Sequence, residues 1–187
     1  MAEPLLRISE LVAGYGTPVV GPLSLEVLPG EVVGLWGANG AGKSTLLHAV
    51  ARQCTCFSGV VEPRPGLVLA WQPQQPPKLP EMPFTGAEYL HYAGARGTPP
   101  PRLAAWLGQR VDQLSGGQFQ LLAVWAALGG DADLVLLDEP TNNLDPDGEA
   151  VLAELLGQVG RERAVLLVSH QRDFVTRACS RSMEVAA

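Results

Sequence analysis

The run Gly37-Ala38-Asn39-Gly40-Ala41-Gly42-Lys43-Ser44-Thr45 constrains this chain more than any other stretch. A polyphosphate tail crowds several negative charges together, so a site for it needs many donors near the backbone and little side-chain bulk between them. Gly37, Gly40 and Gly42 meet that need. The apolar run Val32-Val33-Gly34-Leu35-Trp36 predicts a buried strand feeding the loop, and Lys43 to Arg52 a helix leaving it, whose first amides aim at the phosphates. Lys43 is placed to bridge the β and γ phosphates, and Ser44 to hold Mg²⁺ through its hydroxyl.

Other stretches read as scaffold. The 187 residues, 47% hydrophobic, suffice for one substantial core and favour one compact domain with a subdomain over two full domains. A net charge of −6, from 13 basic and 19 acidic residues, argues against binding nucleic acid by bulk electrostatics, and no Lys/Arg cluster stands out. Three cysteines, Cys54, Cys56 and Cys179, are too few for a disulfide framework and fit a reducing compartment. Cys54-Thr55-Cys56 without a second pair reads as packing. No signal-peptide pattern and no run of about 18 apolar residues is present, which predicts a soluble chain that reaches a membrane only through a partner.

Alternation predicts half-exposed strands over Leu5 to Leu11 and Ser24 to Leu28, with turns at Gly14-Tyr15-Gly16 and Gly21-Pro22. Tyr15 is either a base-stacking aromatic or a tyrosine packed at a turn. Gly59 to Glu62 and Leu67 to Trp71 read as a short strand pair around the turn Pro63-Arg64-Pro65-Gly66. The proline-laden stretch from 75 to about 128 reads as an inserted, half-helical subdomain, with a short helix over Gly86 to Ala95; the remaining core is about 1–74 and 129–187. Gln72, Gln74 and Gln75 stand at its entrance, where an amide can reach Mg²⁺ or the attacking water.

Ser115 is the expected N-cap of an apolar helix whose start, Ser115-Gly116-Gly117-Gln118, is a second phosphate-sized helix terminus. Leu134 to Leu137 is a strand of the fully buried, parallel kind, ending in Asp138-Glu139-Pro140. Carboxylates at a strand's carboxyl end lie where open α/β sheets bind ligands, so Asp138 suits Mg²⁺ and Glu139 suits a general base. Asp145 and Pro146 cap and open a further helix, and Ala164 to Val168 is a third core strand with His170 at its end, placed to meet a γ-phosphate.

The set, in this order, resembles the ATP-binding cassette family from Tyr15 to Met183. The resemblance implies an α/β P-loop NTPase with a mostly parallel core sheet, an N-terminal antiparallel β subdomain and a small helical subdomain. It implies an ATPase working as a head-to-tail pair with a second cassette subunit, a homodimer by expectation, with ATP and Mg²⁺ between the phosphate loop of one copy and the Ser115–Gly117 cradle of the other. By the same carry-over Tyr15 stacks on adenine, Asn39 and Thr45 belong to the nucleotide loop, and Gln74 is the glutamine of the Q-loop with Mg²⁺ in reach. Asp138 and Glu139 form the Walker B pair, Asp145 is the D-loop acid, and His170 is the switch histidine. Departures are the short, proline-laden insert, the three glutamines that compete for the Q-loop place, and Gln171 where Asp is common; with the sequence ending soon after Met183, no regulatory domain is expected. Two functional classes follow. One is the motor subunit of a transporter similar to bacterial importer ATPases for zinc and related metals, cytoplasmic and held to the inner face of the cell membrane by a permease. The other is a soluble, ribosome-acting protein resembling the F subfamily.

Overall fold

The computed structural model describes residues 3–74 and 83–185. Two sheets organise them. Strands β1 (Leu6–Tyr15), β2 (Thr17–Val27) and β4 (Thr55–Pro63) form an antiparallel sheet in the order β2-β1-β4. The second sheet has five strands in the order β5-β6-β7-β3-β8, namely β5 (Leu69–Gln72), β6 (Leu134–Asp138), β7 (Ala164–Ser169), β3 (Val32–Trp36) and β8 (Arg181–Glu184). Every pairing in it is parallel.

Parallel strands covered on both faces need apolar residues at every position. Along β6 and β7 successive side chains divide between two cores. Leu134, Leu136, Ala164, Leu166 and Val168 pack with Leu46 and Leu47 of helix α1 (Lys43–Val50) and with the antiparallel sheet. Val135, Leu137, Val165 and Leu167 face the other way. They pack among helices α4 (Gly116–Leu128), α5 (Pro146–Gly157) and α6 (Arg172–Ala178). The short helices α2 (Gly86–Tyr92) and α3 (Pro101–Ala104) add Leu90 and Leu103 to that second core.

The strands β3 and β6 and the helices opened by Ser115 and Asp145 lie where the sequence places them. Other expectations fail. The segments Gly59 to Glu62 and Leu67 to Trp71 do not pair with each other: β4 runs antiparallel to β1, whereas β5 runs parallel to β6. Pro63 to Gly66 therefore carries the chain from one sheet to the other, with Arg64 N–H donating to Leu5 O at 2.9 Å. Gly21-Pro22 is no turn but lies inside β2, where the ladder with β1 shifts register on either side of Leu11. The helices expected to reach Arg52 and Ala95 end at Val50 and Tyr92. Of the 75 to 128 insert, residues 75–82, Gln75 among them, lie outside the described residues.

Helix α6 and strand β8 have no counterpart in the sequence expectations. Helix α6 lies directly on β3, and Gly34 makes this possible. A Cβ there would stand 2.4 Å from Val175 Cγ1 and 2.6 Å from Cys179 Sγ. Gly34→Ala must push α6 off the sheet, and chemical denaturation should show a loss of about 1–3 kcal/mol; an unchanged midpoint would mean that α6 does not rest on this strand.

Candidate functional site

The loop after β3 and the carboxyl ends of β6 and β7 meet at one rim of the parallel sheet. Gly42 adopts φ +86° as the N-cap of α1, and a Cβ on it would meet Val20 Cβ at 2.6 Å, so β2 closes on the loop from outside. The result is an open cavity of about 300 Å³ lined by Asn39, Gly40, Gly42, Lys43, Ser44, Thr45, Gln74 and Glu139, with Val19 at its edge. Of the described glutamines, Gln74 lines this cavity, whereas Gln72 is buried and turned to a different one.

The charges are interlocked. Lys43 Nζ donates to Gly37 O at 2.9 Å and Ala38 O at 3.0 Å, and lies 3.5 Å from Glu139 Oε1. The other oxygen, Glu139 Oε2, is 2.8 Å from His170 Nδ1 and accepts the His170 backbone N–H at 3.1 Å. Glu139 is thus held between the phosphate loop and the end of β7. Its φ of +47° marks the sharp departure of the chain from β6. Ser44 Oγ donates to Asp138 Oδ1 at 2.8 Å. Burial pushes the Asp138 carboxyl above its ordinary range, aided by the neighbouring Glu139 charge, while the Ser44 hydroxyl, His48 and Lys43 oppose the rise.

Ser44 in the cavity wall and the buried Asp138 bonded to it place two hard oxygen donors side by side, the donor chemistry suited to Mg²⁺. The Cys54-Thr55-Cys56 stretch forms no such place: Cys54 is half-buried, Cys56 is exposed, and among the described residues no group of three His, Cys, Asp or Glu side chains is arranged to hold a metal.

Ser115 opens α4 with a reciprocal cap. Its Oγ accepts from Gln118 N–H at 3.2 Å while Gln118 Oε1 accepts from Ser115 N–H at 2.9 Å. Asp145 caps α5 by accepting from Gly148 N–H at 2.7 Å. These two helix starts share a separate cavity of about 510 Å³, lined by Ser115, Gly117, Gln118, Asn143 and Asp145 among others. Gly116 lies at the same helix start, on the first turn of α4. The cradle therefore does not join the Lys43 cavity within one chain.

Tyr15 ends β1 and is 55% exposed. Its hydroxyl is hydrogen-bonded to Nδ1 of His48, a residue of α1 without a role in the sequence reading. His48 in turn meets the Trp71 ring edge-on, centroids 4.8 Å apart. Two further ties were also absent from that reading. Thr141 Oγ1 and Ser169 Oγ, 3.0 Å apart, join the loop after β6 to the end of β7, and the Arg172 guanidinium lies 4.6 Å from the centre of the Trp36 ring. Trp36 and Arg172 precede the phosphate loop and open α6, so a cation–π signal was readable only once those elements were known to meet.

A glycine-rich loop before a helix, a lysine and a serine on its first turn, and two acids at the end of a parallel strand of the same sheet define an α/β nucleoside triphosphatase of the phosphate-loop class. A family model described as ABC transporter matches residues 20–84. The chain is 36% identical over 192 residues to the zinc import ATP-binding protein ZnuC of Paracoccus denitrificans, spanning 95% of this chain and 74% of the relative. It is 32% identical over 190 residues to the protein of the same name from Marinobacter nauticus, spanning 97% and 74%. A solved ATP-binding cassette of an ABC transporter superposes with a TM-score of 0.82 at 20% identity, over 98% of this chain and 88% of its own. The ATP-binding subunit of another ABC transporter gives 0.79 at 25% identity, over 97% and 86%. The chain belongs to the ATP-binding cassette family and is an ATP-binding, ATP-hydrolysing subunit of a transporter. These relatives do not favour the ribosome-acting alternative. No described helix is long and apolar enough to cross a membrane.

The raised Asp138 pKa carries a testable sign. A carboxyl raised on folding is a burden that is full above its folded pKa and disappears below its unfolded pKa, so it costs the ligand-free protein stability at neutral pH. Asp138→Asn keeps an acceptor for Ser44 and removes the charge. Thermal denaturation without nucleotide should show a higher melting temperature for the variant at pH 7, the gain shrinking as the pH falls through the carboxyl range; a lower melting temperature at pH 7 would contradict it.

Proposed function

We propose that the chain is the motor of a metal-ion importer, a zinc importer by the names of its relatives, in which two copies clasp ATP and drive a separate membrane permease from the cytoplasmic face. The observation that carries this reading is the convergence of Lys43, Ser44, Gln74, Asp138, Glu139 and His170 at one rim, with the Ser115 cradle lining a different cavity. A cradle that its own chain does not use is explained by a second copy that supplies it. The layout is one cassette over residues 1–187, with a helical part over about 75–128.

In this mechanism the polyphosphate takes over Lys43 from the carbonyls of Gly37 and Ala38, which hold it in the free protein. Loop amides and the start of α1 neutralise charge that grows on the phosphoryl oxygens. Ser44, Asp138 and Gln74 would hold Mg²⁺, which would supply further neutralisation of the phosphates. Glu139 orients and deprotonates the attacking water, and His170, bonded to the same carboxylate, fixes the direction of its lone pairs. Asn39 and Thr45 complete the loop side of the site, and Tyr15 stacks on the base. From the partner copy, the Ser115, Gly116, Gly117 and Gln118 backbone closes over the γ-phosphate, positioned by the Asp145 loop packed beside it.

Glu139→Gln tests the central assignment. ATP hydrolysis should fall about 100-fold or more, ATP binding by titration calorimetry should persist, and the ATP-loaded variant should sediment as a dimer. Lys43→Ala should instead weaken binding itself. Normal turnover in the Gln variant would remove Glu139 from this role, and a monomer at saturating ATP would remove the two-copy clasp.

A further inference from the structure

Tyr15 sits at the tip of the β1–β2 hairpin, followed at once by Gly16 with φ +74°. A tyrosine 55% exposed at such a tip has few contacts to hold it. A side chain that presents its flat face only part of the time loses affinity in proportion to that fraction. The phenol is nevertheless tied down: its oxygen bonds His48 Nδ1, and the two rings meet edge-on with centroids 5.8 Å apart. His48 is itself braced from behind by Trp71 of β5 at an interplanar angle of 75°. His48 stands on α1, the helix whose first turn carries Lys43 and Ser44. The base-side aromatic and the phosphate-side cation are therefore referred to one rigid element, Tyr15 through a bond and Lys43 by sequence.

We propose that His48 is a positioning residue for the nucleoside half of the substrate: it clamps the Tyr15 ring at a fixed distance from the phosphate loop, so that adenine and triphosphate are read together. The proposal rests on the reading that Tyr15 stacks on the base. His48 touches no phosphate in it, so removing His48 should affect a ligand with a base and spare one without.

The full chain and its variants supply the test, with equilibrium binding of ATP and of inorganic tripolyphosphate measured side by side. His48→Ala should weaken ATP about fivefold, the equivalent of one lost hydrogen bond, and leave tripolyphosphate within about twofold. His48→Asn, which places a polar atom where Nδ1 stands, should restore most of the ATP affinity. Tyr15→Ala should lower ATP affinity at least as far as His48→Ala and likewise spare tripolyphosphate. If Tyr15→Ala leaves the ratio of the two affinities unchanged, the stacking reading itself fails. If Tyr15→Ala changes the ratio and His48→Ala does not, the stacking reading stands and the clamp is overturned. An equal loss of both ligands in His48→Ala also overturns it, because the substitution would then act on the phosphate loop.

Discussion

The arrangement of the site depends on one shared carboxylate. Glu139 is 5% exposed and makes three contacts across two oxygens, to the Lys43 ammonium, the His170 ring and the His170 backbone amide. An isolated ionised carboxylate buried to this degree would be prohibitively costly. Lys43, 6% exposed, faces the same difficulty with opposite sign. Each makes the other tolerable, and together they draw the phosphate loop and the ends of β6 and β7 into one cluster. Beneath it Thr141 and Ser169 repeat the connection without charge, through a buried hydroxyl pair. The carboxyl ends of adjacent parallel strands are thus joined twice, which keeps their loops from parting when a polyanion competes for the lysine.

This cluster depends on how the sheet is covered. A parallel sheet needs both faces dry, and here each strand residue alternates between a core built on α1 with the antiparallel sheet and a core built on α4, α5 and α6. Helix α1 therefore has two duties. Its first turn lines the Lys43 cavity and its body, through Leu46 and Leu47, is core. His48, the next residue, turns outward to Tyr15 and Trp71. The eight residues of α1 are short enough that phosphate, core and base-side contacts lie within about 12 Å along its axis. Rigid transmission between them needs no further element.

The site was more legible in the sequence than the sheet that carries it. Glycines, a lysine and paired acids at strand ends each have few chemical explanations, and Ser115, Asp145 and Pro146 announce helix starts by local capping rules that the structure repeats in its hydrogen bonds. Pairing partners are a non-local matter. The stretch from Thr55 to Gln72 looks like a hairpin because Pro63-Arg64-Pro65-Gly66 is good turn chemistry, yet the tight turn serves to pass the chain between sheets. Gly21-Pro22 misleads in the same way, since proline is admissible on an edge strand and β2 is one. Strand β8 is four residues with largely exposed side chains, and α6 is seven residues with mixed polarity. Neither has enough periodicity to announce itself. His48 escaped for a different reason: a lone histidine on a helix gains meaning only from Tyr15, 33 residues earlier, and Trp71, which no spacing rule connects to it.

The glutamine at the end of β5 shows how structure separates residues that chemistry leaves equivalent. Gln72 and Gln74 are both amides at a strand end, and either could reach a metal or water if it pointed to the rim. Alternation alone would put both on one face, so the end of the strand decides between them. Gln72 is still in register with Leu137 of β6 and is buried, its Oε1 enclosed without a protein partner. Two residues later, past Pro73, the strand has ended and Gln74 lies beside Lys43 and Glu139. Proline cannot continue the ladder because it lacks an N–H. Pro73 therefore ends the pairing at the point where the chain must leave the sheet, and it frees Gln74 to face the phosphate cavity while Gln72 remains part of the wall. A carboxamide beside a buried lysine and glutamate adds dipole without adding charge, which suits a group at the mouth of a cavity that admits a polyanion.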